Sequence, residues 1–199
     1  MPEKYVCVFC ASSTGNHPEY VASARELGKT LAAQGYGLVY GGGTMGLMGS
    51  VAKAVNENGG HVVGISPRPL LPLENRGETI GELLVVEDMS ARKRLMNEKS
   101  DAFVILPGGY GTMDELLEMV TWSQINIHSK PIALFNIRGY FDPILQWIDH
   151  AAREGFISDG NKDIPVAGNT VDEVMHLLQT YQAPATRFIE LEWTREENN

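Results

Sequence analysis

The chain opens with a short run that is apolar at almost every position, Tyr5 to Phe9. Runs of the same kind recur at Gly37 to Tyr40, His61 to Ile65, Leu83 to Val86, Ala102 to Leu106, Ile132 to Phe135 and Ile164 to Ala167. Short runs without polar alternation predict strands buried on both faces. Between them the apolar residues switch to helical spacing. Tyr20, Ala24, Leu27 and Leu31 follow His17-Pro18 and stop before Gly35. Val51, Ala52, Ala54 and Val55 run up to Asn58-Gly59-Gly60, and Leu95 and Met96 lie within a helix expected from Ser90 to Ser100. Further helices are expected over Leu116 to Asn126, over Phe141 to Arg153, and from the capping box Thr170-Val171-Asp172-Glu173 through Leu178. One proline-rich stretch, Ser66 to Gly81, breaks the alternation and reads as an irregular loop, a lid or a partner-facing segment.

Strand and helix thus alternate about six times. Buried strands joined by helices predict an α/β fold, a doubly wound parallel sheet with helices on both faces. Residues 1–182 are expected to form a single domain and 183–199 a C-terminal arm. In the arm, Phe188, Ile189, Leu191 and Trp193 fit either a late edge strand or a mobile segment. Doubly wound sheets bind ligands at the carboxyl ends of their strands. Four loops fall there and can converge on one crevice: Ser12-Ser13, Gly41 to Gly46, the Asp88 to Lys93 region, and Gly108 to Thr112.

Composition narrows the partners. The 199 residues carry a net charge of −9, which argues against broad nucleic-acid binding but not against a small phosphate site. No apolar run approaches the roughly 20 residues of a membrane span. The start, Met1-Pro2-Glu3-Lys4, leads directly into a strand, so no signal peptide is expected and the location is taken as cytoplasmic. Cys7 and Cys10 form a C-x-x-C, but Cys7 lies within the first strand and reads as core. The five histidines are scattered without ligand spacing, so neither a metal nor a cofactor is expected.

The candidate chemistry centres on Pro107-Gly108-Gly109-Tyr110-Gly111-Thr112-Met113-Asp114-Glu115, between an expected strand and an expected helix. Glycines admit a ligand close to the backbone, and a helix start offers N–H donors and a favourable dipole to an anion. Thr112-x-x-Glu115 is also a capping box, which would account for both residues without any ligand. Gly41-x-Gly43-x-x-Gly46 matches the dinucleotide fingerprint, but on the second strand and without the ribose-binding acid expected near Ile65-Ser66-Pro67. That disfavours NAD and leaves Gly41, Gly42 and Gly43 as a tight turn or a phosphate contact. Arg92 and Lys93 fit a solvated face or an anion site; Glu74 and Thr121 read by default as surface residues.

Together, Asp88-Met89-x-x-Arg92-Lys93 and Pro107-Gly108-Gly109-Tyr110-Gly111-Thr112-x-x-Glu115 resemble the LOG ("lonely guy") family. The resemblance runs over residues 5–180 and includes Gly41-Gly42-Gly43, Gly46-Leu47-Met48-Gly49, Thr121-Trp122 and Ile127-His128-x-Lys130-Pro131. It implies a Rossmann-like sheet, a homodimer, and hydrolysis of the N-glycosidic bond of a cytokinin riboside 5′-monophosphate or AMP to free base and ribose 5-phosphate. It further implies Arg92 and Glu115 as the catalytic pair. Glu74, Arg92, Lys93, Gly109, Tyr110, Gly111, Thr112, Met113, Asp114, Glu115 and Thr121 would line the substrate site. Two positions depart from the family pattern: Ser90 stands where plant members carry His, and Ala11 where Gly is frequent. Relatives have been labelled lysine decarboxylases, but no lysine here has a recognisable pyridoxal-phosphate setting. The competing reading is a nucleotide or molybdenum-cofactor carrier without turnover.

Overall fold

The computed structural model describes residues 1–74, 79–188, 190, 191 and 193, with Glu74 described by its backbone alone. Seven strands form one sheet: β1 (Tyr5–Phe9), β2 (Gly37–Tyr40), β3 (Val62–Pro67), β4 (Glu82–Val86), β5 (Ala102–Ile105), β6 (Ile132–Phe135) and β7 (Pro165–Gly168). Their spatial order is β4-β3-β2-β1-β5-β6-β7, and every recorded pairing is parallel. The doubly wound sheet expected from the apolar runs is therefore present. Its order reverses between β1 and β5, and the loops leaving those two strands diverge there to open a crevice.

Alternate residues of the strands feed two cores. One face carries Val6, Val8, Leu38, Tyr40 and Val104, packed against Leu27 and Leu31 of α1 (Pro18–Ala33), Val51 and Val55 of α2 (Gly46–Glu57) and Val174 of α7 (Val171–Thr180). The other carries Cys7, Phe9, Phe103, Ile105 and Leu134. It is covered by Met96 of α4 (Met89–Glu98), Leu116 and Met119 of α5 (Tyr110–Gln124), and Ile144 and Leu145 of α6 (Asp142–Arg153). Edge strand β4 is only partly buried, with Glu82 and Val85 exposed.

Three expectations change in detail. The proline-rich segment is not irregular throughout: Arg68–Leu70 forms a 3₁₀ turn that runs into a short helix, α3 (Leu71–Glu74), while residues 75–78 lie outside the described residues. Helix α5 begins at Tyr110 rather than at Leu116. The described part of the arm forms no strand but turns across the C-terminal end of α5. There Phe188 N–H donates to Gln124 O at 2.9 Å, and Arg187 donates to the carbonyls of His128 (2.9 Å) and Ser123 (3.3 Å). A cation at that end suits the helix dipole. Ile189 lies outside the described residues. The Thr170 cap forms as expected: its hydroxyl accepts from Glu173 N–H at 3.2 Å, and the Glu173 carboxylate accepts from Asn169 N–H at 2.7 Å.

His128 fastens the loop between α5 and β6. It sits between Met119 O (3.0 Å from Nε2) and the Lys130 N–H (3.1 Å from Nδ1), a pairing that needs a neutral ring donating from Nε2 and accepting at Nδ1. Burial, and then the charge of Lys130, lower its pKa from 6.5 to about 4. The folded ring stays neutral while the unfolded one takes a proton below pH 6.5. The contribution is therefore complete above that pH and is lost as pH falls toward 4, amounting to about 3 kcal/mol. Urea unfolding at pH 7 and pH 4 checks this against His128→Gln. The parent should lose more stability than the variant over that interval, and equal losses would refute the assignment.

Candidate functional site

The loops leaving β1 and β5 are stitched together where they diverge. Leu106 N–H donates to Phe9 O at 2.9 Å, and Ala11 N–H to Pro107 O at 3.1 Å. Pro107-Gly108-Gly109 then turns the chain into α5, whose N-cap is Gly109. Gly108 is needed for space, since a Cβ there would lie 2.0 Å from the Thr112 hydroxyl. The Tyr140 hydroxyl donates to Gly108 O and holds the turn from outside. The first intrahelical bond runs from Met113 N–H to Gly109 O at 3.0 Å. The N–H groups of Tyr110, Gly111 and Thr112 therefore precede the ladder, as the open donors of a helix start.

Because α5 begins at Tyr110, Thr112 and Glu115 lie inside the helix and do not form the capping box that their spacing allows. Glu115 is turned inward and only 7% exposed. It faces a crevice of about 400 Å³ at the carboxyl end of the sheet. Ser12, Ser13, Gly41, Arg92, Gly109, Tyr110, Gly111, Thr112 and Glu115 all line it, so the structure gathers residues from all four predicted loops. Tyr110 stands at the lip, 97% exposed. Sequence reasoning missed Cys10, Met48, Leu70 and Met89, which give the crevice apolar surface. Leu70 belongs to the segment read as loop, while Met48 and Met89 stand within the motifs quoted above but carry no chemistry that marks them as lining.

Arg92 reaches the crevice from α4. Asp88 caps that helix by accepting from Ala91 N–H at 2.7 Å, which offsets the cations of its first turns. Arg92 is 4% exposed, with Nη2 donating to Gly41 O at 3.1 Å and Nη1 lying 3.8 Å from the Met89 sulfur. Its Nε–H is buried without a partner among the described residues. The electrostatics at Cys10 place the pair nearby. Burial raises the thiol pKa, Glu115 raises it further, and Arg92 opposes both. Cys7 is likewise buried and raised, chiefly by burial, so both free thiols are held from the thiolate form that a nucleophile needs.

The remaining predicted residues lie elsewhere. Lys93 turns away from the crevice and pairs with Asp114 (2.9 Å) and Glu118 (2.8 Å), bracing α4 to α5. Burial alone would lower its pKa, but the hydrogen bonds and charges of Glu118 and Asp114 outweigh that and raise it. Met113 packs against the second core. Thr121 is exposed, donates to Leu117 O at 2.7 Å, and borders a separate apolar groove between α5 and α6 with Leu117, Val120 and Trp147. The side chain of Glu74 lies outside the described residues, although Leu70 in the preceding turn lines the crevice.

The fingerprint-like loop Gly41 to Gly46 does not present an open helix start. The N–H groups of Leu47 and Met48 already donate to Ala11 O at 3.1 and 3.2 Å, and Leu47 also to Ser13 O at 3.2 Å. Gly46, at φ +60°, packs so tightly on the loop after β1 that a Cβ would sit 2.3 Å from the Ser12 backbone. Its glycine serves loop-on-loop packing. Among the described residues no group of three or more His, Cys, Asp or Glu side chains could hold a metal ion.

The comparisons agree with this geometry. A family model described as "Possible lysine decarboxylase" matches residues 48–178. The chain is 47% identical over 193 residues to a probable cytokinin riboside 5′-monophosphate phosphoribohydrolase, LOGL2 of Oryza sativa subsp. japonica, covering 96% of this chain and 79% of that protein. It is 49% identical to cytokinin riboside 5′-monophosphate phosphoribohydrolase LOG3 of Arabidopsis thaliana, over 88% of this chain and 82% of that one. Among solved structures, the molybdenum cofactor carrier protein of Chlamydomonas reinhardtii superposes with a TM-score of 0.67 at 20% identity, covering 88% of this chain and 96% of that one; this establishes a shared fold. With two signature motifs converging on one crevice and near-half identity over most of its length, the chain belongs to the LOG family.

Proposed function

We propose that the crevice hydrolyses the N-glycosidic bond of an adenosine-type nucleoside 5′-monophosphate, a cytokinin riboside monophosphate or AMP, releasing the base and ribose 5-phosphate. One observation carries this reading: Glu115 lies on the same helix as the open N–H donors of Tyr110 to Thr112 and faces the same crevice as Arg92. Glu115 sits about 7 Å along the axis from that helix start. A phosphate at the start is held by N–H donors and the dipole without any lysine. The ribose then extends inward toward Glu115, and Ser12 and Ser13 close the opposite wall.

As the C1′–N bond lengthens, positive charge develops on the sugar, and the Glu115 carboxylate stabilises it. The same carboxylate takes a proton from the water that attacks C1′. The bonding pair leaves with the base, which gains a proton from solvent. A guanidinium is a charged hydrogen-bond donor rather than a general acid, so Arg92 acts by stabilising charge on the departing base. Lys93, Asp114 and Met113 act through the α4–α5 packing that places Arg92 and Glu115.

The names of the plant relatives support the same chemistry. Lysine decarboxylation has no footing here. Among the described residues no lysine lines the crevice, and Lys93 is held as a cation by two carboxylates, the reverse of the lowered pKa a Schiff-base lysine needs. The reading includes a homodimer in the cytoplasm, where free Cys7 and Cys10 stay reduced. Thr121, which reaches no part of its own crevice, would meet a site only across a subunit boundary.

Two measurements test this. Incubating the protein with AMP and with isopentenyladenosine monophosphate should release free base, and Glu115→Gln should cut the rate by about 10²–10⁴-fold. Tight AMP binding without base release would favour the carrier, and full activity in Glu115→Gln would remove Glu115 from the mechanism. Size-exclusion chromatography with light scattering should report twice the chain mass of 21.9 kDa. A monomer that still turns over substrate would exclude the subunit-boundary role for Thr121.

A further inference from the structure

Gly41 opens the loop out of β2 and is glycine for a reason its φ does not supply. Its φ lies outside the left-handed region, unlike that of Gly42 at +82° and Gly46 at +60°, so φ is not what calls for glycine there. Space is what forbids a side chain. A Cβ on Gly41 would lie 2.1 Å from Nη2 and 3.3 Å from Cζ of Arg92. It would also lie 2.9 Å from the Met48 sulfur, the movable part of a flexible side chain. The guanidinium is therefore laid directly on the Gly41 peptide, where Nη2 donates to Gly41 O at 3.1 Å.

We propose that Gly41 is a positioning residue for the reaction: it is the seat that fixes the Arg92 guanidinium against the departing base, and a side chain at 41 dislodges it. The inference rests on the assignment of Arg92 above. Arg92 makes few contacts that could restore it once moved. Its Nη1 faces the Met89 sulfur at 3.8 Å, a weak acceptor, and its Nε–H has no partner among the described residues. Among the described residues, the Gly41 carbonyl is the strong acceptor seen to hold the group. The loop keeps its own fold by other means, through the bonds of Leu47 and Met48 N–H to Ala11 O and the packing of Gly46 on Ser12. A change at 41 should accordingly reach the chemistry without unmaking the loop.

The proposed phosphate site belongs to the start of α5 and Gly41 to the loop after β2, two separate elements of the crevice lining. Displacing Arg92 should therefore lower kcat while leaving KM nearly constant, because it removes an interaction made in the transition state. A displacement on the order of 1 Å at a catalytic group costs about 100-fold.

The experiment is Gly41→Ala, made in the parent and in Arg92→Lys, with base release from AMP, AMP affinity by calorimetry and the melting midpoint measured for all four proteins. In the parent, Gly41→Ala should lower kcat about 100-fold with KM and the melting midpoint little changed. A lysine has no Nη2 to collide with the new methyl, so in Arg92→Lys the same substitution should cost under about 3-fold, a non-additivity expected of residues acting as one unit. Full kcat in Gly41→Ala would overturn the proposal. So would an equal loss in both backgrounds, or a loss that tracks the melting midpoint, since either marks a role in the loop alone. Failure of the underlying reading looks different: Arg92→Lys and Arg92→Ala would keep parental kcat whatever residue 41 did. If Arg92→Lys is too slow for steady-state rates, single-turnover base release with enzyme in excess is read against the same two expectations: a cost under about 3-fold supports the seat, and a cost equal to the parent's overturns it.

Discussion

Two opposite charges are withdrawn from water at the carboxyl edge of this sheet, and much of the surrounding structure follows from keeping them there. Arg92 is 4% and Glu115 7% exposed. Each buried ion costs several kcal/mol unless its surroundings compensate. The compensation is spread over three elements. The Gly41 peptide accepts from Arg92, α5 brings Glu115 in behind its own N-terminal turn, and Lys93 with Asp114 and Glu118 holds α4 and α5 in register. The Lys93 cluster is one of ordinary stabilising charge, and its side chains point away from the crevice. Its acidic members reach solvent, whereas Arg92 and Glu115 are both buried, and that contrast separates the bracing carboxylates from the pair proposed to react.

Sheet order makes the arrangement possible. With β1 and β5 adjacent, the loops after Phe9 and Leu106 leave in opposite senses, and their stitching through Pro107 O fixes the crevice between them. Arg92 then arrives from the β4 side and Glu115 from the β5 side, so the two line one crevice although 23 positions separate them in the chain. The glycines divide the labour. Gly109 and Gly111 leave the helix start uncovered, with no described atom within 4 Å of where a side-chain methyl would stand, whereas Gly41, Gly46 and Gly108 are spacers for a guanidinium, a backbone and a hydroxyl.

The seven strands were legible because each is short, apolar and bounded by turn residues, and the convergence of four loops followed from parallel topology alone. The site was legible in outline: Arg92, Glu115 and the Gly109 to Thr112 turn do share a crevice. What stayed open in the sequence was local. Thr112-Met113-Asp114-Glu115 has the spacing of a cap, but Gly109 takes that position and the helix starts six residues before Leu116, since glycine and threonine mask a helical turn when propensity is the guide. Gly41 to Gly46 carries the dinucleotide spacing, yet the N–H donors that follow it are spent on the neighbouring loop, a long-range contact that no window of sequence contains. Lys93 reads as part of a basic pair with Arg92, but adjacent residues on a helix face about 100° apart, so one turns to the crevice and the other to α5.

The proposed catalysis has the start of α5 hold the phosphate and thereby set the glycosidic carbon beside Glu115. A crystal structure of Glu115→Gln with AMP bound would show this most plainly. Phosphate oxygens are expected within hydrogen-bond distance of the N–H groups of Gly111 and Thr112, with C1′ next to residue 115 and the base toward Arg92. A phosphate seated instead on the Gly41 to Gly46 turn, or a ribose turned away from residue 115, would contradict it.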